Sequence, residues 1–206
     1  RKVSLNNNFA HLEYQDTKIN LIDTPGYAAF VSHARPALRV ADAALVVVDA
    51  VHGIEVQTEK TWQYANEFLL PRFMVINKID KEHADFGHAL ETATSSFARS
   101  IVPFTLPIGK EGDFKGVVDV VHQKAYEFDE HGKAKEIPLP EDGRDVFERT
   151  RERLIEIVAE SDDALMEKYF SDGTLPEEDI YPNLAKAIAS SKLCPVYAVS
   201  SVTLVG

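Results

Sequence analysis

Asp23-Thr24-Pro25-Gly26 directly follows the short apolar run Ile19-Asn20-Leu21-Ile22. A carboxylate at a strand end can hold a hydrated Mg²⁺, and a glycine just beyond it lets a backbone N–H approach a phosphate without a side chain in the way. The same four residues also make a good turn and helix start, so alone they leave both readings open. Asn77-Lys78-Ile79-Asp80 follows a second buried-looking run, Phe73 to Ile76. Guanine presents N1–H and N2–H₂ as parallel donors that match one carboxylate, so Asp80 suits a choice of guanine over adenine. Asn77 would hold the loop and meet the other ring edge, and Lys78 would lay its methylene stem along the base with its ammonium in water. A charged surface turn is the alternative. Ser200-Ser201 follows a third run, Pro195 to Val199, where small residues leave backbone N–H groups available to a base carbonyl.

Each of the three segments sits immediately after an apolar run, and the element order explains why. Phe9 to Tyr14 and Ile19 to Ile22 read as a hairpin around a four-residue turn, Gln15 to Lys18. A helical stretch from Ala28 to Val40, a strand Ala44 to Val48, a helix near Thr58 to Phe68 and the strand Phe73 to Ile76 complete a β, α, β, α, β series. The two later strands are continuous apolar runs, the mark of parallel strands covered on both faces, so a parallel sheet flanked by helices is expected. Its carboxyl edge is where such sheets bind ligands, and the three segments should fall there together.

From Ile101 the texture changes. Phe104 to Ile108, Gly116 to Val121 and Lys124 to Phe128 read as a meander, and Arg144 to Glu160, Asp162 to Phe170 and Glu177 to Ala189 as helices, with Pro176 suited to a first turn. Residues 101–192 therefore read as an inserted α+β subdomain between residues 1–100 and 193–206. Within it the charge run Glu148 to Arg153 reads as a solvated helix face.

Composition narrows the function classes. With 45% hydrophobic and 27% charged residues the 206-residue chain is an ordinary globular protein, not a disordered or fibrous one. Twenty-two basic against 33 acidic residues give a net charge of −11, so diffuse electrostatics repel nucleic acid and anionic membrane, and sequence-specific DNA binding is not expected. The longest apolar run, Ala43 to Val48, is far short of a membrane span. Cys194 is the single cysteine, which fits a reducing cytoplasm. The seven histidines show no paired metal-ligand spacing, so structural or surface roles are expected for them.

With these segments in hand, the chain resembles the GTP-binding domain of the translational GTPases, and within them the elongation factor G branch. Asp23-Thr24-Pro25-Gly26 is similar to that family's Mg²⁺ and γ-phosphate motif at switch II, Asn77-Lys78-Ile79-Asp80 to its guanine-specificity motif, and Ser200-Ser201 to the Ser-Ala of its last motif. Arg39 to Ala50, with Gly53 to Glu59 after it, is similar to the family's third-strand region and following helix. Leu106-Pro107-Ile108-Gly109 and Gly116 to Val120 resemble the extra subdomain of elongation factor G, which in the family faces a ribosomal stalk protein. The resemblance implies a P-loop-NTPase-type α/β fold, GTP or GDP and Mg²⁺ as ligands, the ribosome with its stalk protein as partner, a cytoplasmic location and a monomeric parent. It implies GTP hydrolysis coupled to movement of tRNA and mRNA. A release, recycling or ribosome-protection relative, and a GTP sensor with almost no turnover, are the alternatives.

Three departures qualify the implied chemistry. The family's histidine after Asp-Thr-Pro-Gly is Tyr27 here, so Gly26 and Tyr27 occupy the catalytic positions. A phenol stays neutral at pH 7 and cannot become a cation facing the γ-phosphate, which implies slow hydrolysis. The family's Arg-Gly-Ile-Thr of switch I is Arg1-Lys2-Val3-Ser4, where Ser4 keeps the hydroxyl for Mg²⁺ and Lys2 would be strained if the glycine there needed a positive φ. No G-x-x-x-x-G-K-[ST] phosphate loop occurs in these residues. The chain is accordingly expected to be a fragment, truncated at both ends. It would lack a central strand between those ending at Asp23 and Asp49, and it would bind GTP poorly and be inactive by itself.

Overall fold

A computed structural model describes residues 4–97 and 100–206. The chain divides into two units, residues 1–44 with 55–70, and residues 45–54 with 71–206.

The first unit opens with a hairpin of β1 (Asn8–Tyr14) and β2 (Thr17–Asp23), antiparallel with Asn8 opposite Asp23 and Tyr14 opposite Thr17. Its turn has two residues rather than the expected four. Gln15 and Asp16 both take positive φ, 46° and 59°, the primed geometry whose twist matches that of the flanking strands. The expected helix from Ala28 begins as a 3₁₀ turn, Ala28–His33, and becomes α1 only over Ala34–Val40. Helix α2 (Val56–Glu67) starts two residues before its expected position, because Glu55 and Thr58 cap it reciprocally. Its Ala65 packs with Ala44 and Leu70 in a small buried cluster that Leu38, Ala41 and Phe68 cover.

The second unit is built on a four-stranded sheet in the order β3 (Ala44–Asp49), β4 (Arg72–Asn77), β10 (Leu193–Ala198), β5 (Ser100–Pro103). β10 runs parallel to both neighbours. Its first half pairs with β5, Leu193 opposite Ser100, and its second half with β4, Ala198 opposite Ile76. Helix α3 (Phe86–Ser96) packs on β4 and β5, α4 (Arg144–Ala159) on β5 and α6 (Glu177–Ala189) on β10, giving the expected helix-flanked parallel sheet, but without the strand that ends at Asp23. Among the described residues β2 pairs with β1 in a sheet of their own, so the three segments do not leave one sheet edge as expected. Met74, Ile76, Val196, Leu154 and Ile180 are fully buried at its centre.

β3 departs from the expectation that both faces are covered: Leu45 and Val47 are 61% and 60% exposed, whereas Val48 is buried. Residues 45 and 47 share one face of the strand, and a continuous apolar run cannot show which of its faces lacks a cover. Helix α3 is an addition to the elements expected from the sequence. Asp85 caps it by accepting the His88 N–H at 2.9 Å, and Phe86, Ala89 and Ala93 form its buried stripe.

A second sheet is an antiparallel meander of β6 (Thr105–Ile108), β7 (Gly116–Asp119), β8 (Lys124–Phe128) and β9 (Ala134–Ile137). It is fastened to the first. Phe104 N–H donates to Val196 O at 2.8 Å, Val120 N–H to Phe104 O at 2.9 Å, and Ala198 N–H to Thr105 Oγ1 at 2.8 Å. All of β5 but Ser100 lies inside the range read as an insertion, yet it belongs to the sheet of β10. Helix α5 (Asp163–Asp172) follows α4. Most of the charge run on α4 is solvated as expected, with Arg149 paired to Asp145 and Arg144 to Glu148. Arg151 instead turns inward and donates to Val120 O and Val121 O. No helix among the described residues is long and apolar enough to cross a membrane.

Leu154 has no exposed surface, so Leu154→Ala removes transfer free energy and leaves a cavity, at a cost of about 2–5 kcal/mol. Chemical denaturation followed by circular dichroism should show the loss, and a change under about 1 kcal/mol would contradict the close packing of α4.

Candidate functional site

Asn77 is the last residue of β4, and β10 ends beside it at Ala198. Because the two strands are parallel neighbours, the segments leaving them emerge side by side, and Asn77 clasps them together. Its Oδ1 accepts the Lys78 N–H at 2.8 Å and the Ser201 N–H at 3.0 Å, and its Nδ2 donates to Ser201 Oγ at 3.2 Å. One side-chain amide thus satisfies main-chain groups of both loops.

Ser200 is buried, its N–H donating to Val205 O at 2.8 Å and its Oγ accepting the Thr203 N–H at 3.2 Å. The backbone N–H groups of Ser200 and Ser201, expected to be available to a base carbonyl, are therefore both engaged. The reason is general: N–H groups leaving a buried strand need partners, and Val205 O and Asn77 Oδ1 supply them. What stays accessible at Ser201 is its hydroxyl side.

Lys78 sits in left-handed backbone, φ 68°, and its Nζ donates to Asp49 Oδ2 at 2.6 Å, so the ammonium is paired and does not simply hang in water. Asp49, at the end of β3, also accepts the Val51 N–H at 2.8 Å. Burial alone would raise the Asp49 carboxyl. The hydrogen bonds from Lys78 and Val51 and the charges of Lys78 and His52 outweigh it and hold the group below its ordinary range.

Two residues beyond Lys78, Asp80 is half-buried, and its Oδ1 is enclosed with no hydrogen-bond partner among the described residues. A buried carboxylate oxygen without a donor costs free energy, and two parallel N–H donors, one to each oxygen of the carboxylate, would satisfy it. The residues present fit a guanine edge.

The remaining expected residues belong to the other unit. Asp23 closes β2, and its Oδ2 accepts from Ser4 Oγ and Asn8 Nδ2, each at 3.4 Å. Thr24 is half-buried, Pro25 is buried and Gly26 is exposed with nothing within 4 Å of the position a Cβ would take. Gly26 thus leaves the open approach that a phosphate oxygen needs. Tyr27 caps the 3₁₀ turn through its backbone, Phe30 N–H donating to Tyr27 O at 2.8 Å. Its ring is 63% exposed, and its hydroxyl has no partner among the described residues. Arg1, Lys2 and Val3 lie outside the described residues.

Ser4 and Asp23 offer two hard oxygens side by side, which suits Mg²⁺, a cation that takes one or two protein oxygens and fills its shell with water and phosphate. No group of three or more His, Cys, Asp or Glu side chains among the described residues is placed to share a metal ion. Sequence reasoning missed Asp49 as the partner of Lys78 and Asn8 as a second donor to Asp23. Asp49 was legible as an acid closing an apolar strand.

The model of the elongation factor Tu GTP binding domain matches residues 1–206. Elongation factor G of Thermotoga maritima is 40% identical over 181 residues, 87% of this chain and 26% of that protein, and the Thermotoga petrophila elongation factor G gives the same figures. A crystal structure of a Thermus thermophilus protein matches with a TM-score of 0.90 at 34% identity, covering 99% of this chain and 30% of that one. The chain spans about a quarter of the length of the curated relatives it matches.

Asp49 supplies stability that is complete above the ordinary carboxyl range and fades as pH falls through its lower folded value. Asp49→Asn should therefore flatten the loss of stability below about pH 4 relative to the parent sequence, read from urea melts at stepped pH. Parallel acid limbs would deny Asp49 a charged partner.

Proposed function

Because the chain belongs to the elongation factor Tu GTP-binding domain family, as an elongation-factor-G-like member of it, we propose that it serves a ribosome-associated, cytoplasmic factor that hydrolyses GTP to drive movement of tRNA and mRNA. The observation that carries this reading is the enclosed, unpartnered Oδ1 of Asp80, beside loops already clasped by Asn77. In this reading Asp80 accepts N1–H and N2–H₂ of guanine, Asn77 and Ser200 fix the two loops, and Ser201 turns its hydroxyl side to the base. Lys78, braced on Asp49, lays its stem along the ring.

Asp23 and Ser4 are the groups that would hold Mg²⁺, which when bound neutralises charge on the phosphates. Gly26 offers the exposed backbone by which a γ-phosphate would be met, with Thr24 and Pro25 setting its direction. Tyr27, at the position of the family's histidine, would orient water for attack at the γ-phosphorus. Residues 101–192 would form the subdomain that meets the ribosomal stalk. The exposed, unpartnered Tyr27 hydroxyl favours one further reading, a GTP sensor with little turnover, since a phenol can orient water through one hydroxyl but brings no positive charge to the γ-phosphate.

Two experiments on the full-length protein test these assignments. Asp80→Asn should weaken GTP binding by about tenfold to hundredfold and favour XTP, as judged by nucleotide dissociation constants. An unchanged order among GTP, ATP and XTP would remove the base-recognition role. Tyr27→His should raise single-turnover GTP hydrolysis on ribosomes by at least about tenfold, and no gain would mean that the tyrosine is not limiting.

A further inference from the structure

The loop after Asp80 is held from two directions. At its root, Ala50 N–H donates to Asn77 O at 2.9 Å and Asp85 N–H donates to Ala50 O at 3.0 Å. Between these anchors, Lys81 N–H donates to Lys78 O at 3.0 Å and Ala84 N–H to Lys81 O at 3.1 Å. At its crest, Glu111 reaches over from the segment between β6 and β7, and its Oε1 accepts the His83 N–H at 2.8 Å.

Three features of this bond set it apart from a casual surface contact. Glu111 stands on a stiff mount. Gly109 has φ 81° and passes so close to the chain that a Cβ there would lie 2.0 Å from Asp113 O, while Asp113 N–H donates to Lys110 O and Phe114 N–H to Glu111 O, with Phe114 buried. Both ends of the bond lie in left-handed backbone, His83 at φ 66° and Glu111 at φ 51°, conformations that non-glycine residues hold only where their surroundings impose them. Finally, one side of the loop borders an open cleft. His83, Phe86, Leu106, Ile108, Glu111 and Phe147 line a cavity of about 890 Å³. Main chain bordering such a space has little packing to locate it, which leaves hydrogen bonds to do so.

We propose that Glu111 is a positioning residue for base recognition: by fixing the His83 N–H it sets the course of residues 81–85 and so aims the Asp80 carboxylate, making guanine selectivity depend in part on the segment between β6 and β7. The inference rests on the assignment of Asp80 above. IDP is the discriminating probe, since hypoxanthine keeps the N1–H of guanine but lacks its 2-amino group, and a misaimed carboxylate loses the second donor first.

In the full-length protein, Glu111→Ala should lower the ratio of GDP to IDP affinity by about fivefold, while Glu111→Gln, whose amide oxygen can accept the same N–H, should bring the ratio back to within about twofold of the parent. Should the alanine variant lose its cooperative melting transition, Glu111→Asp, which withdraws the carboxylate by one methylene, is read in its place with the same expected fall. If both nucleotides weaken alike and the ratio stands, Glu111 is a plain structural support and the proposal is overturned. A glutamine variant that behaves like alanine also overturns it. Asp80→Asn run alongside separates the two levels. A ratio lost there but intact on altering Glu111 removes this inference alone, whereas a ratio intact in Asp80→Asn removes the base-recognition reading and this inference with it.

Discussion

The side-chain amide of Asn77 is the point on which the arrangement of the loops leaving β4 and β10 turns. It accepts two backbone N–H groups, one from its own loop and one from a residue 124 positions later in the chain, and returns a donor to Ser201 Oγ. Such a clasp is possible only because β10 and β4 are parallel neighbours in register, Tyr197 opposite Val75 and Ala198 opposite Ile76. The sheet pairing brings the loops together, and the amide then removes the cost of leaving their N–H groups bare. A shift of β10 by one residue would carry Ser201 away from Asn77, so the sheet pairing and the polar clasp enforce one another.

Charge plays a subordinate part in this region. The chain carries a net charge of −11, and Lys78 already commits its ammonium to Asp49. Under the proposed function, selectivity at these loops would come from the direction of hydrogen bonds more than from net charge. An enclosed carboxylate oxygen with no internal donor suits that task better than an exposed one, because solvent competes for it less.

What could be read from the residues alone were the features that local chemistry writes directly. Asp23, Asn77 and Ser200 each stand immediately beyond an apolar run, and the structure ends strands at Asp23, at Asn77 and, two residues before Ser200, at Ala198. Tertiary context decided the rest. The two-residue turn at Gln15 and Asp16 uses side chains that do not advertise positive φ. Helix α3 hides in a stretch rich in Ala, Thr and Ser, although the Asp85 cap and the spacing of Phe86, Ala89 and Ala93 were there to be seen. The bare face of β3 at Leu45 and Val47, and the inward turn of Arg151 to Val120 and Val121, depend on what lies opposite them in space, which no window of sequence contains. Nor does the sequence show that the N–H groups of Ser200 and Ser201 are already taken, or that Glu111 meets His83.

The two hydrogen bonds that join Phe104 and Thr105 to β10, with the bond from Val120 to Phe104 behind them, bear on how such a protein can change over evolutionary time. They make the meander's root part of the same rigid body as the strand leading to Ser200, so lengthening the chain there would disturb both at once. The far ends differ. The Glu141–Gly143 approach to α4 is exposed and closed by a local bond from Arg144 N–H to Glu141 O, whereas the Asp129–Lys133 turn comes against Leu204 at Gly132. Insertions and deletions among descendants should accumulate at the exposed approach to α4 before they reach the turn that leans on the Ser200 loop.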